Sequence, residues 1–383
     1  MNKEEIKHLA EKFLKGTATA EEKRRLHSWS ALNNEHDDEV VLTSKPEDAN
    51  EVKARVYDRI QHQIHLDVVP VGPKKIKLWY KVAAVAAALI LISGLTFYLS
   101  RMDDSRGSDL ADAKHISIGK NAAILTLADG RKIDLLKAEN GRLTEESGVA
   151  IRKTTDGKLV YEVKDVSTPV NNEAHLNTIS TPKGGQYQVI LPDETIVWLN
   201  AASSIKFPAG FTNLKQRKVQ LSGEAYFEVA KDKEHPFIVQ TDQQEIEVLG
   251  THFNLNAYGD EQSIKTTLLE GRVRVLSGKD LVVLKPGQQS LLRNHKLDVA
   301  NADTEEAVAW KNGYFKFNSE PLPSIMRKLS RWYDVEVVYE GKPGDDRFGG
   351  TISRYKNVAD VLEMLESTKL VKFKVEGRKI IVR

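Results

Sequence analysis

The sequence predicts a multidomain chain: a small all-α domain, a single transmembrane helix, an antiparallel all-β domain and a C-terminal small α+β module. Three observations carry this reading. Val82 to Leu99 is an apolar run without charge or proline, the residues before it show helical apolar spacing, and those after it alternate in short strand-like runs. Beyond Trp310 strand and helix patterns alternate.

Residues 1–75 form the predicted helical domain. Ile6, Leu9, Ala10, Phe13 and Leu14 stand at i, i+3, i+4, i+7 and i+8, one apolar stripe that stops at Gly16. Thr19 and Glu22 make a capping box for the next helix, each side chain satisfying an orphan amide of the other residue. Leu26, Trp29 and Leu32 continue the apolar face, and Val52, Val56, Ile60 and Ile64 predict a third helix from about Glu47 to Leu66. Three short helices bury only a small core, so this domain is a candidate to complete its core on a partner. Leu26, Trp29 and Leu32 are the partner-binding candidates, with Trp29 as anchor; the same indole also suits the centre of the bundle. The segment up to Lys77 holds 14 Lys and Arg against 14 Asp and Glu, and the whole chain 56 against 54. That balance argues against nucleic acid as a direct partner and leaves a protein. Val68 to Pro73 reads as an extended linker, because each proline disfavours helix at the residue before it.

The predicted span covers 78–100. Its apolar run of eighteen residues reaches about 27 Å as a helix, close to a hydrocarbon core of about 30 Å. Lys74, Lys75, Lys77 and Lys81 precede the run, whereas Arg101 is followed by Asp103 and Asp104. Positive residues stay inside, so the N-terminal domain is expected in the cytoplasm and the C-terminus across the membrane. Trp79, Tyr80 and Tyr98 suit the two headgroup layers. The run lies too far from the N-terminus for a cleaved signal peptide.

The third domain is predicted over 112–300. Ala123 to Leu135 carries apolar runs on either side of Asp129-Gly130, a strong hairpin signal, and Tyr187 to Leu199 repeats the pattern with Asp193-Glu194. Further strands are expected at 158–163, 217–222, 224–230, 236–241, 244–250, 251–258, 263–271, 272–277 and 280–287, a spacing that suits a sandwich, jelly roll or solenoid-like fold. Residues 310–383 then read strand, helix from Leu322 to Tyr333, strand, strand, helix from Val358 to Thr368, strand, strand. Pro321 suits a first helical turn and Asn357 a helix cap.

The chain has no cysteine, which excludes thiolate metal sites, disulfides and cysteine nucleophiles. His62 and His65, with Asp58 one turn earlier, have a metal-compatible spacing but no third strong ligand nearby, so no metal and no cofactor is expected. Lys183-Gly184-Gly185 lacks the Lys and Ser or Thr of a phosphate loop and reads as a turn. No hydrolase signature appears.

Thr181–Pro208, Leu221–Thr241, Val248–Tyr258, Thr266–Val275 and Leu284–Gln289 together closely resemble the iron-dicitrate regulator (FecR) family. Trp310–Glu340 resembles the C-terminal module of such regulators, related to the short N-terminal domains of secretins and TonB-dependent transducers. Glu194 departs from the pattern, which has glycine there. The resemblance implies an inner-membrane, single-pass anti-sigma factor with a periplasmic β-rich domain. Its implied partners are an extracytoplasmic-function sigma factor in the cytoplasm and the signalling domain of a TonB-dependent outer-membrane receptor in the periplasm. It implies no enzyme beyond self-cleavage: some members cut themselves at a Gly-Thr pair, here Gly250 and Thr251. There the Thr251 hydroxyl attacks the Gly250 carbonyl, the peptide C–N bond gives way to an ester with release of the Thr251 amine, and water hydrolyses that ester, with His252 as candidate base. A bulge role for Gly250 is the other reading. The competing functions are a periplasmic binding module or a membrane-anchored hydrolase, neither regulating a sigma factor.

Overall fold

The computed structural model describes residues 42–43, 109–146, 148–163 and 176–383. These are mostly β-sheet with few helices. Strands from Lys120 to Asn301 curl into one closed sheet around an apolar core that includes Leu125, Ile151, Phe207, Phe227 and Phe253.

The predicted fold class is corrected, because the described residues are mostly strand in one large curled sheet. Among the described residues no helix is long and apolar enough to cross a membrane; Val82–Leu99 and the N-terminal helices, with Leu26, Trp29, Leu32, His62 and His65, lie outside the described residues. The sheet is not purely antiparallel, since Arg217–Gln220 runs parallel to Phe237–Gln240, and Leu159–Val160 parallel to Val189–Ile190. The core of the C-terminal module also takes in Leu110, Ala113, Ile116 and Ala201 from outside 310–383.

The first parallel pairing follows from one long strand. Two runs read from the sequence as separate strands form a single one, Arg217–Glu228. Its first half pairs with Ser204–Lys206 and its second half with His252–Ala257. The bend falls at Gly223, whose φ is 90°, and a Cβ there would stand 2.4 Å from the Ser203 hydroxyl. Only glycine allows both the backbone angle and the close approach. Because the second half swings away, the chain can return beside the beginning of the same strand, which a tight hairpin cannot do.

Asp129-Gly130 does make a hairpin, between Ile124–Thr126 and Lys132–Asp134. Its turn is not the two-residue type with two positive φ angles. Gly130 N donates to Leu127 O at 2.9 Å, Leu127 N to Arg131 O at 2.9 Å, and only Gly130 is left-handed, at φ 87°. The same bonds recur at Thr154–Lys158 with Gly157, and at Leu191–Thr195 with Glu194. Glu194 holds φ 68°. Asp193 holds that last turn in place: it accepts from the Thr195 hydroxyl at 2.7 Å and from Arg217 Nη1 at 2.7 Å, in a buried ion pair. Arg217 also donates from Nε to the His235 carbonyl at 2.8 Å, from Nη1 to that of Ala230 at 3.0 Å and from Nη2 to that of Asp232 at 3.5 Å.

In the module, helix α1 (Thr304–Val308) leads into the Tyr314–Pro321 strand, and helices α2 (Leu322–Tyr333) and α3 (Val358–Glu366) each follow a strand. Pro321 ends its strand and caps α2, and Asp334 closes α2 in the left-handed region at φ 51°. Leu322, Ile325, Met326, Leu329, Trp332 and Tyr333 form the buried stripe of α2. The Asn357 side chain accepts from Ala359 N at 2.9 Å and caps α3. Glu336–Tyr339 runs parallel to Lys379–Val382, and Arg347–Ser353 runs antiparallel to Tyr314–Pro321. The outer side of that last strand is met by Leu42–Thr43, opposite Gly349 and Phe348.

Glu194 is exposed and its turn is the one of the three without glycine. A left-handed non-glycine residue costs about 1–2 kcal/mol, so Glu194→Gly is expected to stabilise the chain by about 1 kcal/mol. Equilibrium denaturation of both proteins measures this, and an unchanged midpoint would refute the strain assigned to Glu194.

Candidate functional site

The most concentrated buried polar chemistry lies where the module meets the closed sheet. Arg354, just past the Arg347–Ser353 strand, is only 2% exposed. Its Nη2 donates to Asn200 Oδ1 at 2.9 Å and its Nη1 to the Trp310 carbonyl at 2.7 Å. Asn200 Nδ2 donates to Glu224 Oε2 at 2.7 Å, Asn254 Nδ2 to Glu224 Oε1 at 2.9 Å, and Trp310 Nε1 to Asn254 Oδ1 at 3.1 Å. The five residues close a ring. Arg354 and Glu224 are both nearly buried, yet no salt bridge joins them; Asn200 stands between and serves each with its opposite end. Arg354 also lies 3.6 Å from the centre of the Trp332 ring, whose Nε1 donates to the Arg354 carbonyl at 2.8 Å. Burial pulls the guanidinium down to about 10, which leaves it cationic at neutral pH.

A second clamp lies beside the first. Glu261 accepts from Arg327 Nε at 3.0 Å and Nη2 at 2.6 Å, and from Arg331 Nη1 at 2.9 Å. Burial by itself would raise this carboxyl, but the Arg327 hydrogen bond and the Arg331 charge reverse the sign and hold it below the usual value. Arg331 also reaches Asp260 and stacks 3.8 Å over Tyr258. Tyr258 donates to the Ala201 carbonyl at 2.5 Å, and burial raises its phenol far above the ordinary range.

A cleft of about 380 Å³ runs along these clamps, lined on the sheet side by Asn256, Lys265 and Thr267 and on the module side by Glu306, Lys316 and Lys328. Its charges largely answer one another. Lys328 pairs with Glu320 at 2.7 Å and Lys316 with Asp303 at 3.0 Å, while burial raises the carboxyl of Glu306. Among the described residues no group of three or more His, Asp or Glu is placed to hold a metal.

Gly250 and Thr251 lie elsewhere, in the link between Glu245–Val248 and His252–Ala257. Gly250 has φ 147°, and a Cβ there would come within 2.9 Å of the Lys231 Cα. Thr251 is buried and its hydroxyl donates to the Arg272 carbonyl at 3.0 Å. His252 directs its Nδ1 toward Glu270 at 3.4 Å, and the register of His252–Ala257 against the neighbouring strand Ile264–Glu270 shifts between His252 and Phe253. The Thr251 proton therefore points at Arg272, and its bond must break before the hydroxyl can serve as a nucleophile. Leu26, Trp29 and Leu32 lie outside the described residues.

The family model described as FecR protein matches residues 177–274, and that described as FecR, C-terminal matches 314–382. Two crystal structures of a proposed anti-sigma factor from Parabacteroides distasonis, at 1.65 and 2.50 Å resolution, are each similar to the chain. Each is 32% identical with a TM-score of 0.51, over 54% of this chain and 98% of that one. The chain belongs to the FecR family. No curated protein matches it.

The two FecR matches divide the polar ring between them. Asn200, Glu224 and Asn254 fall in the first and Arg354 in the second, as do the clamp partners Glu261 and Arg331 respectively. Trp310, between the matches, completes the ring. Sequence reading missed Asn200, Glu224, Asn254, Glu261, Arg331 and Arg354, because each is a lone polar residue whose partners lie far along the chain. The one local trace is Glu224, a carboxylate directly after the glycine at which the long strand bends.

Removing one member of a buried charge network costs about 3–5 kcal/mol. Arg354→Ala is therefore expected to lose at least about 3 kcal/mol, and Arg354→Lys to recover less than half of it, because lysine lacks the planar fork that bonds Asn200 and stacks on Trp332. Denaturation midpoints give both values, and a near-neutral Arg354→Ala would remove the ring from this role. If the Gly250-Thr251 bond self-cleaves, intact-mass measurement on protein purified without proteases should find two fragments meeting there. Thr251→Ala should then stay whole and Thr251→Ser retain some cleavage; a single full-length species in every variant leaves Gly250 with a structural role.

Proposed function

We propose that this FecR-family chain is an anti-sigma factor whose N-terminal residues bind an extracytoplasmic-function sigma factor. Its β-rich body and C-terminal module receive the signal of a TonB-dependent outer-membrane receptor through that receptor's periplasmic signalling domain. Family membership carries the reading, and likeness over nearly the whole length of a proposed anti-sigma factor supports it. The apolar run Val82–Leu99 with its lysine-rich leading flank supports an inner-membrane chain with a cytoplasmic N-terminus and a periplasmic C-terminus.

The receptor side of the proposal rests on a sheet edge. The Arg347–Ser353 strand accepts Leu42–Thr43 along its outer side. In a membrane-inserted chain those two residues and the module are on opposite sides of the bilayer, which leaves the edge open to an extended strand of the receptor domain.

Copurification of the full chain with a sigma factor from its own cell is the deciding experiment, repeated with residues 1–75 deleted. Binding that needs residues 1–75 supports the reading, and a chain that retains no sigma factor overturns it. Trp29→Ala is expected to weaken binding by about 2 kcal/mol, the usual cost of truncating a buried aromatic anchor. Unchanged affinity with an intact fold would move Trp29 out of the interface. Reporter fusions at the N-terminus and at Ser105 decide the topology.

A further inference from the structure

Residues 109–119, which follow the apolar run after 100–108, are gripped by the far end of the chain. Asp112–His115 forms a short 3-10 turn in which Ala113 is fully buried, with Leu110 and Ile116 close to it. All three sit in the core of the C-terminal module. Asn357, while capping α3, donates from Nδ2 to the Lys114 carbonyl at 3.0 Å, and Gly377 N donates to Asp112 Oδ2 at 2.8 Å. At Gly119 a Cβ would lie 2.5 Å from the Trp332 ring, so the chain crosses the helix α2 face at closest approach. Immediately beyond, Lys120 and Asn121 pair with Gly185 and Gln186 and the chain enters the sheet.

Residues 109–119 are thus a strap with one end in the closed sheet and the other leading back toward the apolar run. Its attachment differs in kind from the joint between module and sheet. The joint holds a buried guanidinium and a buried carboxylate, whose separation would strand charges. The strap is held by three apolar side chains and two hydrogen bonds, both of them exposed. Local opening takes the least stable contact first, and here that is the strap.

We propose that this strap is the output element of the C-terminal module: a partner docking on the module loosens its hold on residues 109–119 and so frees the chain that leads to the N-terminal domain. The inference rests on the reading of the chain as a regulator driven by a receptor domain. It requires the partner to favour the state in which the strap is loose, since a ligand shifts an equilibrium only by its differential affinity.

The test uses the full chain in cells carrying a reporter of the bound sigma factor. Ile116→Asp, which places a charge in the module core, is expected to give the stimulated reporter level without any signal, and amide exchange at residues 109–119 should become fast. A reporter that stays at the resting level although exchange shows the strap to be loose would overturn the proposal. The opposite arm exploits the absence of cysteine. Lys114→Cys with Lys356→Cys, both exposed and adjacent to the Lys114–Asn357 bond, is bridged with a bifunctional maleimide. The bridged chain should no longer answer the signal, whereas either single-cysteine chain treated in the same way should. A bridged chain that still responds overturns the strap but leaves the regulator intact. An unmodified chain that binds no sigma factor overturns both readings, and the copurification experiment separates that case.

Discussion

A guanidinium sealed from water dictates the architecture around it. Arg354 keeps its charge in a site where only 2% of its surface is exposed, which is tolerable only with fixed acceptors and a polarisable face beside it. Asn200, the Trp310 carbonyl and the Trp332 ring supply these, and each belongs to a different part of the chain. Asn200 is itself held by Glu224, which stands directly after the bend at Gly223. The bend, the turn after Ile196–Leu199 and the placement of helix α2 must therefore agree before the two terminal nitrogens of the guanidinium find their acceptors and its face the Trp332 ring. Such a network adds little net stability compared with apolar packing, but it penalises every misplaced docking of the module.

Much of the fold was legible because it depends on local rules. Helix α2 occupies Leu322–Tyr333 as its apolar spacing indicates, and Asn357 caps α3 in the way its side chain allows. Most strand runs between Lys158 and Gly287 were visible in their alternation, whereas Leu176–Ser180, Ser204–Pro208, Gln288–Arg293 and Lys296–Asn301 were not. What escaped was non-local. Nothing in Arg217–Glu228 marks it as one bent strand with different partners for its two halves rather than two strands, apart from a glycine that also suits a turn. The parallel pairing with Phe237–Gln240 follows from that bend and so escaped with it. The ring residues were invisible for the same reason, since single Asn, Glu and Arg residues acquire a role only when distant segments meet.

The recurrent turn shows how far one sequence signal reaches. Three hairpins share the same pair of backbone bonds, and two of them place glycine at the left-handed position. The third accepts Glu194 because Asp193, the residue before it, is locked by Thr195 and by the buried Arg217. A side-chain network here replaces the backbone freedom that glycine supplies elsewhere. The resemblance to Asp-Gly thus identified the hairpin correctly while missing the ion pair that makes the substitution tolerable.

Distance along the chain is a poor guide to distance in this protein. The C-terminal module is the last part of the sequence, yet its core encloses Leu110, Ala113 and Ile116, the first described residues after the apolar run. Its two faces do different work: toward the sheet it presents charge held in a ring, and toward the strap it presents apolar side chains and a helix cap. Ionic geometry is selective about orientation, whereas apolar contact yields more gradually and without leaving a stranded charge. A module built this way keeps its place on the sheet while its grip on the strap varies. A relay that ends at the strap therefore needs no hinge between module and sheet, and the part of the structure that must move is the part whose contacts are easiest to give up.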